Sequence, residues 1–456
     1  MQFDFSKLPL KNRAFSEKPM TFIDQEAKNF LAAVIDVVAI ETGNRAAREY
    51  WQNKQLQNLL QFASQKSAFW RERIGTRKIK DIGPSDLPVL TRSDVAKQVE
   101  IEGSLLPADG TIPTKKFATS GSSGTPVQFF VSDMNAHYNT VRSLAQYFME
   151  GRDLTLNRTR FSRAPRRIQD GFSVKKKDGS LGPLSGLFKC GTSKEFLHIN
   201  PNRDLLFKEL AKDPIGYLVV QPGLVESLFY DIDISFLSEH GTRLAILIDE
   251  EADEDLRNRF SAAGIPVRAI YSSQEVGYIG AECKDCPGAF HVAQSNVVIE
   301  VDNRDGVTVG GNRLGRVLVT HLHSYGTPFV RYDIGDYAAL SKVCACGHDG
   351  PALTNIYGRK KRLLKRADGS VVPFSVTARS LLEIVKCEEY RIRQTALDTL
   401  DVEIGGVGQL SADQVASLKS LIKERAGDEF QVRIETVQKV DWGSDVKRLG
   451  FRSEMI

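Results

Sequence analysis

The sequence predicts an α/β protein with a large first domain and a small α+β domain at its carboxyl end. Between residues 117 and 335, short apolar runs alternate with helical patterns, which is typical of a buried parallel sheet covered by helices. The first hundred residues have helical periodicity, and strand-like runs flank one helix after Gly358. A chain of 456 residues is also too long for one hydrophobic core, so we expect two or three domains.

The domain boundary is expected where a strongly basic stretch begins, between residues 358 and 359. The first domain is predicted at 1–358, with a helical part at about 1–110 and an α/β core at about 111–358. Residues 359–456 form the second domain.

The elements can be taken in order along the chain. A predicted helix at 46–69 has one apolar face at helical spacing. The residues of that face are Tyr50, Trp51, Leu56, Leu59, Leu60 and Ala63. Pro84 and Pro88 then break the chain, and Thr91 or Ser93 caps a further short helix. Strands are predicted at 217–220, 243–248, 267–271, 297–301 and 316–320, and helices at 224–230, 250–263 and 412–425.

The composition is that of an ordinary globular protein. Hydrophobic residues make up 41% of the chain, and no run of 18 apolar residues is present to span a membrane. The net charge is +4, and the basic clusters at 158–167 and 175–177 lack an aromatic platform, so we expect solvated loops there and no nucleic-acid partner. The first residues lack the apolar region of a secretory signal, so we expect a cytoplasmic protein with no membrane partner. The sequence does not indicate the oligomeric state.

A strand–turn–strand pattern centred on residues 119–126 is the most informative stretch of the chain. The residues of the turn are Thr119, Ser120, Gly121, Ser122, Ser123, Gly124 and Thr125, followed by Pro126. Glycines let a backbone approach an anion closely, and free N–H groups and hydroxyls can then bind phosphate oxygens. The turn lacks the Gly-Lys-Ser/Thr ending of the common nucleotide-binding loop. On composition alone, a phosphate-binding loop and a flexible surface loop are equally open.

Four of the six cysteines form two close pairs, Cys283-x-x-Cys286 and Cys344-x-Cys346. In a reducing compartment, this spacing indicates a tetrahedral structural zinc site instead of a disulfide framework. His291 is a fifth candidate ligand, so the spacing leaves open whether Cys286 or His291 completes the set. Ordinary buried thiols are the alternative interpretation.

Four further motifs follow the glycine-rich turn. They are Tyr271-Ser272-Ser273-Gln274-Glu275-Val276-Gly277, Val330-Arg331-Tyr332-Asp333-Ile334-Gly335-Asp336, Ile356-Tyr357-Gly358-Arg359, and Lys447 near the carboxyl end. Each is weak alone, because a Glu before Val-Gly is usually at the surface and an Asp after Gly usually belongs to a turn. Their order resembles the acyl-adenylate-forming superfamily, with a Glu about 150 residues after the turn, an Asp about 60 beyond it and a Lys at the far end.

Within that superfamily the chain resembles the phenylacetate–coenzyme A ligase-like branch. The segments that support this resemblance are 51–71, 87–91, 217–222 and 328–336, so it spans nearly the whole chain. The resemblance implies a large adenylation domain with a small mobile lid domain. It also implies an enzyme that joins a carboxylic acid to the α-phosphate of ATP, releases pyrophosphate, and passes the acyl group to a thiol. Relatives pair a single cysteine with a histidine at the position of His291 and the later Cys-x-Cys, in which case Cys286 is spare.

The resemblance assigns each nucleotide-binding motif a role. The turn at 119–125 would bind the phosphates of ATP, mainly the leaving pyrophosphate. Glu275 would hold Mg²⁺, since that ion prefers hard oxygen ligands, and it is counted among the catalytic residues. Asp336 would accept hydrogen bonds from both ribose hydroxyls. Tyr271 would stack on the adenine, with Ser272 beside it.

The resemblance also implies roles in the second domain. Arg359 would fix the ribose or the hinge, and Lys361 falls at the hinge position. Lys447 would be the catalytic lysine, although Val446 precedes it where the superfamily usually has Gly. Val446, together with Val127 in place of the usual Lys after the proline of the loop, supports a rival interpretation, a non-catalytic homologue held together by zinc.

The resemblance favours an aryl or arylacetic acid, with specificity set in the irregular segment at 160–191. The acyl acceptor is open among coenzyme A, a phosphopantetheine thiol on an acyl carrier protein, and an amine, which would make the enzyme an amide ligase. The expected cofactors are therefore ATP, Mg²⁺ and structural Zn²⁺, with coenzyme A or phosphopantetheine as acceptor.

Overall fold

Helices form the amino-terminal region and also pack on the faces of a long sheet. The computed structural model describes residues 25–107, 112–119, 127–163, 171–177, 179–199, 203–229, 233–250, 252, 254–309, 312–358, 363–376, 378–387, 389–442 and 450–455. The helices in these ranges are α1 (Gln25–Thr42), α2 (Arg45–Lys66), α3 (Ala68–Ile74), α4 (Arg92–Glu102), α5 (Asp133–Met149), α6 (Arg203–Leu210), α7 (Pro222–Leu228), α8 (Ser235–Glu239), α9 (Glu254–Ala262), α10 (Ala378–Ile384) and α11 (Ala412–Ala426). Within the described ranges, no helix combines the length and apolar character that a membrane crossing requires.

The strands alternate with these helices as the sequence predicts. Their bounds are β1 (Thr114–Ala118), β2 (Gln128–Ser132), β3 (Arg158–Arg163), β4 (Gly171–Lys177), β5 (Ser193–Ile199), β6 (Gly216–Val220), β7 (Thr242–Leu247), β8 (Val267–Ser273), β9 (Gly277–Glu282), β10 (Phe290–Val292), β11 (Val297–Val309), β12 (Asn312–His321), β13 (Tyr332–Ser341), β14 (Ala352–Tyr357), β15 (Leu363–Lys365), β16 (Val371–Pro373), β17 (Glu389–Ala396), β18 (Thr399–Gly405), β19 (Gln431–Val437) and β20 (Phe451–Ser453).

Twelve strands of the described chain form one sheet, in the order β11-β12-β13-β14-β10-β9-β8-β7-β6-β3-β5-β4. From β8 to β5 the neighbouring strands run parallel. From β8 to β11 each pair is antiparallel. The sheet therefore has a parallel half and an antiparallel half that meet at β8.

The parallel half is buried on both faces, which explains its continuous apolar runs. In β6, Leu218 and Val220 point into a core that also contains α6, α7, α8 and α9. Tyr217 and Val219 of the same strand point into the opposite core, against α1 and α5. The predicted α/β architecture of this region is confirmed.

Helices α2, α3 and α4 pack on the antiparallel half and share its core. Leu56, Leu59, Leu60 and Ala63 are buried there as predicted, but Tyr50 is 74% exposed and does not belong to that face. The predicted helix at 46–69 is two helices, because Ser67 ends α2 and its side chain caps α3 by accepting from the N–H of Trp70.

The carboxyl-terminal residues form a second, smaller unit with its own core. Its sheet has the order β19-β18-β17-β20, and α10 and α11 pack against it. The hairpin β15–β16 connects the two units, because successive side chains of β15 point into different cores. Leu363 is buried against Val309 and Leu314 of the large sheet, whereas Leu364 is buried in the small core. Residues 359–362, where we predict the boundary, lie outside the described ranges.

Candidate nucleotide site and metal centre

The hairpin β1–β2 brings the two ends of the glycine-rich turn together. Its strands are antiparallel, with Ala118 opposite Gln128, so the predicted strands flank the turn. The N–H of Thr119 donates to the Val127 carbonyl over 2.9 Å, and the Val127 N–H donates to Thr119 Oγ1 over 3.0 Å. Arg92 of α4 also donates to Thr119 Oγ1. The Thr119 side chain therefore closes the base of the turn.

The remaining residues predicted to bind phosphate lie outside the described ranges. They are Ser120, Gly121, Ser122, Ser123, Gly124 and Thr125. Their role stays a prediction, whereas Arg92 is a cation at the base of the turn that sequence reasoning missed.

Two reciprocal hydrogen bonds bring the predicted magnesium and ribose carboxylates together. Tyr271 of β8 donates its hydroxyl to Asp336 Oδ2 of β13 over 2.8 Å. In the other direction, Tyr332 of β13 donates to Glu275 Oε1, in the turn after β8, over 3.2 Å. Strands β9, β10 and β14 lie between β8 and β13 in the sheet, so the antiparallel half must curl to bring them into contact.

Both carboxylates influence the pKa of the Tyr271 hydroxyl, so both lie close to it. Burial raises the pKa of the Tyr271 phenol well above its usual range, and the negative charges of Asp336 and Glu275 raise it further. The hydroxyl therefore stays protonated and donates at every physiological pH. Two carboxylates this close together favour the binding of a cation and of hydroxyl donors. Ser272 lies next to Tyr271 on the same strand, opposite Tyr278.

Backbone geometry fixes the two carboxylates. Gly335 has φ of +86°, a left-handed conformation, and its N–H donates to Asp333 Oδ1 over 2.8 Å, so the bend just before Asp336 is set locally. The segment with the Pro-Val-Leu-Thr pattern pairs with the same strand, because the Leu90 N–H donates to the Arg331 carbonyl over 2.9 Å. Two sequence segments on which the resemblance depended are thus in direct contact.

A further polar residue, Asp249, lies at the carboxyl ends of the parallel strands. It follows β7 two residues after Leu247, which pairs with Ala269 of β8, the strand that carries Tyr271. Asp249 has φ of +65°, and its Oδ2 accepts from Gln221 at the end of β6 over 3.0 Å. A strained non-glycine residue at this edge of a parallel sheet is typical of a ligand site. Sequence reasoning missed it, although the acidic run directly after an apolar strand was a usable signal.

Three cysteines and one histidine form a compact cluster at the ends of β9, β10 and β13. The ligand atoms of Cys283, His291, Cys344 and Cys346 all lie within 4.8 Å of one another. Two sulfurs bound to one zinc at about 2.3 Å would be about 3.8 Å apart, so a small contraction would suit a tetrahedral ion. Of the two candidates for the fourth position, the geometry groups His291 with the cysteines, and Cys286 packs against this set.

The surroundings of the cluster also suit a metal. Burial lowers the pKa of His291, which keeps the imidazole in the neutral form that binds metals. The ring of His348 stacks on His291 with centroids 4.3 Å apart and fixes its plane. Cys346 Sγ lies 3.4 Å from His291 Nε2. The residues present therefore fit a structural Zn²⁺ ion, with no ligand position left for substrate.

Arg359 and Lys447 lie outside the described ranges, so their predicted roles are not located by the structure. The chain on both sides of Lys447 is nevertheless anchored on β17. Glu389 accepts from the Val440 N–H over 2.7 Å and from Trp442 Nε1 over 2.9 Å. Beyond Lys447, the Gly450 carbonyl accepts from the Ile392 N–H over 2.9 Å.

Comparison with known proteins identifies the fold. No family model matches the sequence, and a search of curated proteins finds no match. Among solved structures, 2-hydroxyisobutyryl-CoA ligase in the postadenylation state with 2-HIB-AMP has a TM-score of 0.61 and 16% identity, covering 91% of this chain and 92% of that one. The same ligase with 2-HIB-AMP and CoA in the thioesterification state has a TM-score of 0.56, 16% identity, and coverage of 91% and 92%. Its open conformation with both ligands has a TM-score of 0.55, 15% identity, and coverage of 90% and 93%.

At this level of identity the comparison establishes the fold. The chain has the fold of this ligase over nearly its whole length, which confirms the predicted α/β fold class. Membership of the acyl-adenylate-forming superfamily stays a prediction. The narrower phenylacetate–coenzyme A ligase-like branch stays a prediction.

Proposed function

We propose that this protein activates a carboxylic acid with ATP as an acyl-adenylate and then transfers the acyl group to the thiol of coenzyme A. The observation that supports this most strongly is the reciprocal pairing of Tyr271 with Asp336 and of Tyr332 with Glu275. It unites the two motifs assigned to ribose and magnesium in one pocket, within a fold whose solved neighbour holds an acyl-AMP.

In the proposed first step, a carboxylate oxygen of the acid attacks the α-phosphorus of ATP. The bond from that phosphorus to the bridging oxygen breaks, and pyrophosphate leaves with the electron pair. The protein contributes mainly position and charge. Asp336 would hold the ribose hydroxyls, the turn at 119–125 would hold the phosphates, and Glu275 would bind Mg²⁺. Magnesium would neutralise charge on the phosphate oxygens.

In the proposed second step, a thiolate attacks the acyl carbonyl and AMP leaves. Coenzyme A is the preferred acceptor, because the neighbouring ligase has been captured with 2-HIB-AMP and CoA together. A carrier-protein phosphopantetheine or an amine would use the same adenylate. Lys447 would act in the first step only, and the small domain would turn between the two steps.

We assign an aromatic acid as the substrate class, on the resemblance to the phenylacetate-type branch. The described part of the segment at 160–191 includes the end of β3, where Ser162 donates to Glu195 over 3.0 Å. Phe188 of that segment is buried against Phe148 in the core that contains α1 and α5.

We also assign a structural zinc ion to Cys283, His291, Cys344 and Cys346. These ligands connect the β9–β10 hairpin to the loop between β13 and β14. The ion would hold together two loops of the antiparallel half. The same half of the sheet carries Glu275 and Asp336.

The decisive experiment is ATP–pyrophosphate exchange over a panel of aryl, arylacetic, hydroxy and short aliphatic acids. We expect exchange with at least one aromatic acid, loss of exchange in Asp336→Ala, and a coenzyme A thioester by mass spectrometry only when coenzyme A is supplied. Glu424→Ala, an exposed carboxylate on α11, is the control and should match the wild type. Absence of exchange with every acid would favour the non-catalytic alternative. An amide product would replace the thioester assignment.

A further inference from the structure

The turn formed by residues 294–296, which follows the metal-ligand strand β10, is held by side chains of α1 and α2. Glu41 at the end of α1 accepts from the N–H of Ser295 over 2.8 Å and from the N–H of Gln294 over 3.2 Å. Gln52 of α2 donates to the Gln294 carbonyl over 2.9 Å. The backbone polar groups of this turn are thus satisfied by distant side chains.

Two more side chains reach the same turn from the opposite side. Arg142 of α5 donates to the Ser295 carbonyl over 3.1 Å, and Nε2 of His323 lies 3.1 Å from the same oxygen. Arg142 and His323 are both buried. Removing such polar groups from water costs free energy, and apolar side chains of similar size would stabilise the region equally well. We therefore interpret these contacts as fixing the position of the turn.

Asn296 connects the 294–296 turn to the turn that carries Glu275. Its side chain is fully buried, and its Nδ2 donates to the carbonyl of Val276 over 3.2 Å and to the carbonyl of Tyr278. Val276 directly follows Glu275, so the two acceptors lie on either side of Gly277. The Asn296 carbonyl accepts from the Leu322 N–H over 3.0 Å, which connects the same residue to the end of β12.

The turn that carries Glu275 is also in close contact with α5. Gly277 has φ of +69°, and a Cβ atom there would lie 2.6 Å from Asn139 Oδ1 of α5. Within the turn, the Val276 N–H donates to Ser273 Oγ over 3.3 Å. The turn is therefore in contact with both Asn139 and Asn296, and the Asn296 side chain hydrogen-bonds its backbone.

We propose that Asn296 is a positioning residue for Glu275. By holding the carbonyl groups on both sides of Gly277, it fixes where the Glu275 carboxylate meets the magnesium ion of MgATP. This inference rests on the proposed function, because it assumes that Glu275 binds that ion. It predicts that loss of the Asn296 amide weakens the response to magnesium and leaves the contacts of the acid unchanged.

The test measures nucleotide binding by isothermal titration calorimetry, with MgATP and with ATP in EDTA. In Asn296→Ala, both hydrogen bonds that hold the Glu275 turn are lost, so we expect MgATP affinity to fall at least about tenfold. Binding of metal-free ATP should change less than about threefold, since Asp336 and the phosphate turn are untouched. The magnesium concentration for half-maximal exchange should rise, with KM for the acid unchanged.

The matched control is Asn157→Ala, at the opposite end of the parallel strands. Asn157 also links two backbones, because it donates to the Pro214 carbonyl over 2.8 Å and accepts from the Thr192 N–H over 2.9 Å. It should lose thermal stability yet keep MgATP affinity within about twofold. If Asn296→Ala does not fold, Asn296→Ser retains one donor and should give an intermediate affinity.

The outcomes separate the two proposals. Equal weakening with and without magnesium, or no weakening beyond that of Asn157→Ala, overturns the role of Asn296 and leaves the proposed function intact. A wild-type protein that binds no MgATP overturns the proposed function, and this inference with it.

Discussion

Tyr271 of β8 donates a hydrogen bond to Asp336 of β13. Tyr332 of β13 donates a hydrogen bond to Glu275, in the turn after β8. Such bonds to charged acceptors are stronger than bonds between neutral groups. They also restrict the orientation of the Asp336 and Glu275 carboxylates.

We expect Tyr271→Phe to raise KM for ATP about tenfold, because a hydrogen bond to a charged group is worth about 1.5–3 kcal/mol. KM for the acid should not change. Steady-state exchange kinetics measure both constants. Tyr390→Phe is the control, since the Tyr390 hydroxyl donates to the Val376 carbonyl in the small unit, over 2.9 Å. An unchanged KM for ATP in Tyr271→Phe would show that the hydroxyl does not position Asp336.

Lys447→Ala should abolish adenylate formation from ATP and retain transfer from a pre-made acyl-adenylate to coenzyme A. The reason is that a lysine charge would be needed on the phosphate oxygens only while pyrophosphate leaves. Pyrophosphate exchange measures the first reaction, and thioester formation from the adenylate measures the second. Wild-type exchange in this variant would reject the assignment.

At the scale of elements, the cluster of His291 and three cysteines lies at three strand ends, and only four residues separate His291 from Asn296. In the β9–β10 hairpin, Ile279 and Val292 are buried in the core of the antiparallel half, whereas the buried residues of its connecting loop and of the loop after β13 belong to the cysteine cluster. A metal ion would therefore account for much of their local stability.

Purified wild-type protein should contain about one zinc equivalent by inductively coupled plasma mass spectrometry. Cys344→Ser should lose it, because it removes a member of the compact set. Cys286→Ser is the matched variant and should keep its zinc. If Cys286→Ser loses the metal and His291→Ala keeps it, the four-cysteine set is correct instead.

The 294–296 turn predicts a dependence of stability on pH. Burial and the neighbouring charge of Arg142 lower the pKa of His323 to about 4. Below pH 6.5 the unfolded chain therefore binds a proton that the folded protein excludes, so the free energy of unfolding falls as pH falls. Buried His321 shifts in the same direction, whereas burial raises the pKa of Glu41, whose protonation opposes the loss in part.

Urea unfolding at pH 7.5 and pH 5 measures this effect. From His323 alone, we expect a loss of about 2 kcal/mol over that range. His323→Gln cannot titrate and should be less sensitive to pH by about that amount. An identical slope in the variant and the wild type would show that His323 is accessible to protons in the folded protein.

At the scale of the whole molecule, the first hairpin after the predicted hinge belongs to both units. Leu363 is 1% exposed and lies in the cluster with Val309, Leu314 and Tyr337 of the large sheet. Leu364, the next residue, is buried in the core of the small unit. Adjacent strand residues point to opposite faces, so a single strand connects the two cores.

Leu363→Ala and Leu364→Ala should consequently destabilise different parts of the protein. Each leaves a cavity that costs about 2–5 kcal/mol. Hydrogen exchange should increase in β11 and β12 for Leu363→Ala, and in β17 and β18 for Leu364→Ala. The same protection pattern in both variants would mean that the two units unfold together.

Several features of the site were predictable because they depend on local chemistry. The strand–turn–strand pattern around Thr119, the position of Glu275 just after an apolar strand, and the cysteine pairs are all visible as short motifs. The contacts of Asn296, Arg92 and Asp249 were not, because each depends on a partner distant in sequence, and one Asn or Arg resembles any other until the fold supplies that partner.

The sequence by itself determined the element types and the α/β class, since periodicity is a property of the chain. Only the tertiary structure decided that His291 groups with three cysteines and that Tyr271 meets Asp336. The cluster depends on the direct pairing of β10 with β9 and β14. The contact between Tyr271 and Asp336 depends on the curl of the antiparallel half, which brings strands separated by three others into hydrogen-bonding distance. Sheet curvature arises from the summed twist of many strands and their packing, so no local pattern encodes it.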